Sequence, residues 1–307
     1  MINLEPSSSE ITVFAPAKIN LILRILDRRP DGFHNLWSVM QTVALDDEVR
    51  IKLCTDRQDI RLRCDAAQLA ADKTNLVYRA ASEMLARAQR SIGLDIELRK
   101  RIPMGAGLGG GSSDAAATIT GLSHLLQLKW SPAQMADTGR SLGSDVPFFL
   151  FAPSASVAGR GEVVRPVVVE GARWVVLVNP GFGVNTKWAY QELAATRSAV
   201  KPLSLVQRKL DRQSRVNWTQ LIAAAENDFE APVFAAHGGL REIKRSLQAH
   251  GAEIALLSGS GATVFGVFAD EARARLAQAQ FVNNSAMKVF VVPTCAGPLS
   301  WRYGRSQ

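Results

Sequence analysis

The chain has 307 residues, of which 47% are hydrophobic and 21% charged, a composition suited to a globular protein of two domains at roughly 150 residues each. Its longest apolar runs, residues 146–152 and 174–178, fall far short of the roughly 20 residues that cross a bilayer. The first ten residues carry Glu5 and Glu10 with no basic start and no apolar segment, so neither a leader nor a membrane partner is expected.

The net charge is +8, with Arg24, Arg28, Arg29, Arg99, Lys100, Arg101, Arg208 and Lys209 scattered along the chain and not interleaved with aromatic residues. That pattern argues against a nucleic-acid stacking platform and leaves a solvated basic surface or a field that attracts polyphosphates. Cys54, Cys64 and Cys295 form no CxxC pair, and four histidines form no HExxH. Neither a zinc site nor a disulfide framework is supported, and free thiols suit a cytoplasmic protein.

Residues 11–25 alternate as a strand. Ile19, Leu21, Leu23 and Ile25 take one face and leave Lys18 and Asn20 together on the other. Pro30-Asp31-Gly32 is a turn signal, and apolar runs at 37–44 and 48–53 predict further antiparallel strands. Helical spacing predicts a helix over 75–88, followed by a strand over 94–98 and a helix over 113–126. Ser131-Pro132 opens the next helix with a cap and a first-turn proline. A second half begins near Gly171: strands over 175–178, 254–258, 264–268 and 288–292, and helices over 218–225, 240–249 and 271–280. The order is α+β, with domains expected at 1–170 and 171–307. Residues 201–215 read as a polar loop and 297–307 as a tail.

The densest signal is Pro103-Met104-Gly105-Ala106-Gly107-Leu108-Gly109-Gly110-Gly111-Ser112-Ser113. Glycine weakens regular structure, so this density serves another end: backbone N–H groups can turn toward an anion unobstructed. A helix start follows, whose unpaired N–H groups and dipole point to the same place. A capped tight turn is the plain alternative. The Walker pattern fails because no lysine follows the glycines. Gly105, Gly107 and Gly110 satisfy GxGxxG, but the dinucleotide fingerprint also needs an acidic residue at the end of a second parallel strand, and Asp137 lies inside a predicted helix. Asp114 favours the helix dipole and is read as structural.

Three motifs in order resemble the GHMP kinase superfamily, the group of galactokinase, homoserine, mevalonate and phosphomevalonate kinases. They are Pro16-Ala17-Lys18-Ile19-Asn20-Leu21, the glycine loop, and Leu257-Ser258-Gly259-Ser260-Gly261-Ala262-Thr263-Val264-Phe265. Asp31-Gly32-Phe33-His34 and Gly143-Ser144-Asp145-Val146-Pro147-Phe148 resemble the branch that acts on a cytidine-diphosphate-linked methylerythritol. The resemblance spans residues 11–293. It implies an N-terminal domain like ribosomal protein S5 domain 2, a ferredoxin-like C-terminal domain, and an active site in the cleft between them. It also implies ATP and Mg²⁺ as cofactors and transfer of a phosphoryl group to the 2-hydroxyl of that substrate, in the non-mevalonate isoprenoid route.

A kinase must align a hydroxyl with the γ-phosphate, take its proton and neutralise developing charge. Asp145 is the candidate base: it follows a Gly-Ser turn that can present a carboxylate into a cleft, where a turn-forming Asp is the bland reading. Lys18 is its candidate partner, acting on the base or on the γ-phosphate, where an exposed strand lysine is the usual case. Asn20 could bond a substrate hydroxyl. By resemblance, His34 contacts the cytosine edge and Phe33 and Tyr190 sandwich the ring. Asn75 and Leu76 line the adenine pocket, with a helix cap the other reading of Asn75. Ser260 and Gly261 offer N–H groups to substrate phosphates. No metal ligand is assigned. Another kinase of the superfamily and a nucleotide-binding module without catalysis remain as alternatives.

Overall fold

The computed structural model describes residues 9–29, 34–197 and 199–304. Two long antiparallel strands, β1 (Glu10–Arg28) and β2 (His34–Cys54), form its spine. Strand β3 (Ile60–Cys64) follows, then α1 (Leu76–Arg87) and β4 (Gly93–Arg99). Helix α1 starts where the Asn75 side chain accepts the Val77 N–H at 2.9 Å, and it buries Val77, Ala80, Ala81, Met84 and Leu85 on one stripe. Next come α2 (Gly110–Leu125), α3 (Pro132–Arg140), α4 (Val146–Phe151) and strands β5 (Ser154–Gly159), β6 (Val163–Pro166) and β7 (Val168–Glu170). Ser131 caps α3 in a reciprocal box with Gln134.

The second half contains β8 (Trp174–Asn179), α5 (Thr186–Thr196), α6 (Leu205–Leu210), β9 (Arg215–Asn217), α7 (Trp218–Ala224) and β10 (Glu226–Asn227). It continues with α8 (Glu230–Ala236), α9 (Gly238–Ala249), β11 (Ile254–Leu257), β12 (Val264–Phe268), α10 (Glu271–Gln278), β13 (Lys288–Pro293) and β14 (Trp301–Tyr303).

One sheet runs β10-β1-β2-β4-β3, with β14 also on β1 and β5 on β2. The other runs β11-β12-β8-β13, antiparallel throughout. That strand order, with helices crossing between β8 and β11 and between β12 and β13, is the expected ferredoxin-like arrangement.

The second sheet is covered on both faces, which is why its strands read as unbroken apolar runs. Val175, Leu177, Phe265 and Val267 face the first sheet. Val176, Val178, Val264 and Phe268 pack toward α9 and α10. Strand β1 divides its buried residues in a related way. Ile11, Val13 and Ala15 pack with α1 and α2, whereas Ala17, Ile19 and Leu21 join the core shared with the second sheet. The change coincides with a register shift between Pro16 and Ala17, where proline, lacking an N–H, fits an interrupted ladder.

Three sequence expectations are corrected. Helix α2 begins at Gly110, not Ser113, because Gly109 takes the N-cap at φ 73°; the last glycines of the loop are thus the first helical turn. Residues 201–215 are not all loop: Ser204 and Gln207 form a capping box that opens α6. The expected tail is partly structured. Phe14 N–H donates to the Ser300 carbonyl at 2.9 Å, and Trp301–Tyr303 pairs with β1.

Candidate active site

The three motifs are bonded to one another through the carbonyl oxygens of the glycine loop. Thr263 N–H donates to Ala106 O at 3.2 Å, and Lys18 N–H donates to Leu108 O at 2.9 Å. Between them, Ser258 Oγ donates to Gly107 O at 2.9 Å. These three carbonyl oxygens, which would repel a phosphate if they faced it, are therefore held by donors from β1 or from the turn joining β11 to β12. Gly107 is required twice over: its φ is 77°, and a Cβ there would lie 2.0 Å from the Ser258 carbonyl oxygen.

Lys18 lies on the polar side of β1, almost wholly buried, not exposed as strand lysines usually are. Its ammonium donates to Asn20 Oδ1 at 2.7 Å and stands 3.9 Å from Asp145 Oδ2. Asn20 is itself fixed, donating to Ser38 Oγ at 2.9 Å and accepting the Gly259 N–H at 2.9 Å. Burial pushes the Lys18 ammonium below the ordinary lysine range, and the Asp145 carboxylate opposes that shift. Asp145 occupies the N-cap position of α4 without capping it by its side chain. Its carboxylate is about one-third exposed, so it keeps its lone pairs for the cleft.

Three neighbouring cavities meet around this pair. The first, about 390 Å³, follows the glycine loop from Pro103 to Ser112 and is walled by Asn75, Leu76 and Lys100. The second, about 160 Å³, holds Lys18, Asn20, Asp145 and Ser260 and shares Gly107 and Gly109 with the first. The third, about 710 Å³, contains His34 and shares Asp145, Thr186 and Tyr190 with the second. The row thus runs from the glycine loop, past a carboxylate and an ammonium, to a pocket with an aromatic wall.

Toward that wall, Tyr190 on α5 stacks on His34 with ring centroids 4.9 Å apart and 21° between planes. Its other neighbour is Phe229, edge-on at 4.9 Å. Burial, aided by the Asp145 charge, pushes the Tyr190 phenol up to about 12, so it remains a donor. Asp31, Gly32 and Phe33 lie outside the described residues. Ser260 Oγ shares a hydrogen bond with Thr186 Oγ1 at 3.0 Å. Gly261 N–H donates to the Ser258 carbonyl at 2.9 Å, which closes the turn. Asn75 caps α1, donates to Ala70 O at 2.7 Å, and lines the first cavity.

Sequence reasoning passed over Thr186 and Phe229, neither of which stands in a charged or glycine-rich pattern, and gave Ser258 no role although the third motif contains it. It also passed over a buried cluster under the loop. Lys100 Nζ donates to Asp47 and, at 2.6 Å, to Asp114. Asp114 Oδ1 has no partner. Burial pushes the Asp114 carboxyl up to about 7 against the pull of Lys100, with Asp47 adding to the rise. Burial opposes the charge on Lys100, but the Asp114 and Asp47 carboxylates outweigh it and hold its pKa above the usual value. Among the described residues, no group of three or more His, Cys, Asp or Glu side chains could hold a metal ion. No helix there is long and apolar enough to cross a membrane.

Comparison with known proteins gives the same grouping. The family models for the GHMP kinases N-terminal domain and the GHMP kinases C-terminal region match residues 75–152 and 207–286. A 4-diphosphocytidyl-2-C-methyl-D-erythritol kinase of Geobacter sp. (strain M21) is 40% identical over 271 residues, 88% of this chain and 94% of that protein. One of Heliobacterium modesticaldum is 41% identical over 276 residues, covering 86% and 88%. A crystal structure of 4-(cytidine 5'-diphospho)-2C-methyl-D-erythritol kinase superposes with a TM-score of 0.74 at 31% identity, over 93% of this chain and all of that one. Homoserine kinase from Cytophaga hutchinsonii reaches a TM-score of 0.78 at 18% identity, over 98% of this chain and 100% of that one, a likeness of fold. With its motifs joined at one cleft and its relatives alike over most of their length, this chain belongs to the GHMP kinases, in the family of 4-diphosphocytidyl-2-C-methyl-D-erythritol kinases.

Proposed function

We propose that the chain transfers the γ-phosphoryl group of ATP to the 2-hydroxyl of 4-diphosphocytidyl-2-C-methyl-D-erythritol, in the non-mevalonate route to isoprenoids. The observation that carries this reading is the row of three cavities with Lys18 and Asp145 in the middle one. ATP would lie along the glycine loop, with its adenine toward Asn75 and Leu76 and its phosphates at the N-terminus of α2. The acceptor would occupy the third cavity, with its base against Tyr190 and His34 and the rest of it reaching toward Ser260 in the second.

In the step itself, the acceptor oxygen bonds to the γ-phosphorus while the bond from γ-phosphorus to the β–γ bridging oxygen breaks and ADP leaves. The hydroxyl proton passes to Asp145. Lys18 would hold the Asp145 carboxylate in place or meet charge on the γ-phosphate, and Asn20, bonded to it, would fix its position. Mg²⁺ would ride mainly on phosphate oxygens and neutralise their charge, since the described residues form no metal cage. Ser112, lining the loop cavity, and Asp145, in the next one, would be the side chains to offer it an oxygen.

Division into units at 1–170 and 171–307 belongs to the same reading, with the cleft between them. So does a cytoplasmic setting, which suits three free cysteines. The test is ATP consumption with 4-diphosphocytidyl-2-C-methyl-D-erythritol as acceptor, comparing the natural chain with Asp145→Asn. Turnover by the natural chain, cut by roughly 10²-fold or more in the variant, supports the reading. A folded, ATP-binding natural chain that leaves this acceptor untouched would overturn the substrate assignment.

A further inference from the structure

Residues 180–185 join β8 to α5, and two of their glycines press against backbone from elsewhere in the chain. A Cβ on Gly181 would lie 2.6 Å from the Ala286 carbonyl oxygen, and one on Gly183 would lie 2.7 Å from the carbonyl oxygen of Gly105, inside the glycine loop. Val184 is buried with Val176, Val178 and Val264. Asn185 then caps α5 by accepting the Trp188 N–H at 3.0 Å, and Thr186 shares its hydrogen bond with Ser260. The helix that brings Thr186 and Tyr190 to the second and third cavities is thus seated through this segment.

At the head of the segment stands Asn179, the last residue of β8, a buried side chain to which the reaction as described gives no work. Its Nδ2 donates to Thr263 Oγ1 at 3.1 Å, and its Oδ1 accepts the Gly181 N–H at 3.1 Å. Thr263 N–H in turn donates to Ala106 O in the glycine loop at 3.2 Å. Three hydrogen bonds therefore run from the glycine loop, through the third motif, to the segment that carries α5. A carboxamide suits the middle of this chain because one end of it both donates and accepts. Phosphoryl transfer is sensitive to the offset between donor and acceptor, and a misplacement of about 1 Å can cost on the order of 10²-fold.

We infer that Asn179 is a positioning residue that sets the offset between the glycine loop and α5, with the packing of Gly183 on Gly105 as a second stop. Its part in the rate rests on the function proposed above. The link between loop and helix does not depend on which alcohol is the acceptor.

The test compares the natural full-length chain with Asn179→Ala, Thr263→Val and the double variant. Thermal unfolding and the stoichiometry of ATP binding are measured for each, so that rates are counted per competent site. Asn179→Ala should lower kcat by about tenfold or more. The Kd for a nonhydrolysable ATP analogue and the Kd for the cytidyl acceptor, each bound alone, should stay within about threefold of the natural values. Thr263→Val keeps the backbone bond to Ala106 and removes the hydroxyl, so its kcat should fall alike, and the double variant should fall little further because both break one link. Hydrogen exchange gives a readout that needs no acceptor. The ATP analogue should slow exchange of the amides of residues 181–190 in the natural chain and fail to do so in Asn179→Ala. If Asn179→Ala does not fold, Thr263→Val carries the same two arms. A folded variant with natural kcat and a natural exchange response overturns the inference. So does a variant in which kcat and both affinities fall together, the mark of general loosening. A natural chain that shows the exchange response but leaves the cytidyl acceptor untouched overturns the proposed substrate and leaves the link standing.

Discussion

Ser258 Oγ donates to the Gly107 carbonyl at 2.9 Å, joining a turn of the second sheet to the glycine loop of the first half. The bond fixes the loop from behind and leaves no room for a side chain, as the 2.0 Å approach of a Cβ at Gly107 to the Ser258 oxygen shows. Gly107→Ala is therefore expected to displace the whole junction. Stability should fall by about 1–3 kcal/mol from overpacking and φ strain, and ATP affinity should fall by at least about tenfold, since the cradle moves with it. Ser258→Ala removes the hydroxyl without adding bulk, so the loss should be smaller, about 1 kcal/mol in a denaturant titration. If Gly107→Ala bound ATP normally, the loop would not be the anion cradle.

Lys18 and Asp145 make separable predictions. Asp145→Asn keeps the shape and removes the proton acceptor, so kcat should fall while ATP binding persists. Lys18→Met replaces the ammonium by an apolar chain of similar length at a buried site, and kcat should fall by about 10²–10³-fold if Lys18 meets charge in the transition state. Because burial lowers the Lys18 pKa, its charge is lost as pH rises through a value below the ordinary 10.5. The alkaline limb of the natural enzyme's kcat profile should therefore fall below that value and be absent from the residual activity of Lys18→Met. An unchanged alkaline limb in the variant would assign that limb to another group.

Much of this was legible in the sequence where local chemistry decides. Ser131 with Gln134, Asn75 before an apolar stripe, and the glycine density at 105–111 each name a local structure whose physics lies within a few residues. What stayed hidden depends on partners far along the chain. Helix α5 buries only Ala189 and Leu193, too thin a stripe to read, yet it carries Thr186, Lys187 and Tyr190 to the site. Helix α6 is steadied by Gln207 accepting from Arg24 across the fold at 2.8 Å, a contact invisible to periodicity. The glycine motif pointed to an anion cradle. That its carbonyl oxygens are held by Thr263, Ser258 and Lys18 appears only when the three segments meet.

The Asp114 cluster predicts how stability depends on pH. In the folded chain this carboxyl titrates near 7, against an ordinary value of 3.8. Between those values the folded state holds a proton that the unfolded chain has released. Its contribution to stability is thus complete below about pH 4 and is lost as pH rises toward and through 7. Asp114→Asn removes that loss while Lys100 keeps Asp47 as its partner. The variant should gain on the natural chain in thermal unfolding at pH 8, and the gain should shrink steadily toward pH 5. A difference independent of pH over this range would show that Asp114 does not titrate there.

The C-terminal strand gives a prediction about architecture. Residues 299–303 cross from the second half back onto β1: Leu299 is buried, Ser300 accepts the Phe14 N–H, and Trp301 through Tyr303 pair with Val13 through Ile11. The Trp301 ring also lies over His124, near the end of α2, at 4.2 Å between centroids. Full burial of one leucine contributes about 1.5–3 kcal/mol, and an aromatic pair adds about 0.5–1.5 kcal/mol. Removal of residues 298–307 should therefore lower stability by about 2–4 kcal/mol in a urea titration. Because the lost contacts lie at the Ile11 end of β1, away from Lys18, KM for ATP should be little changed in whatever fraction stays folded. A truncated chain with an unaltered midpoint would mean that β14 adds nothing to the first sheet, and that β1 is held at this end by β2 alone.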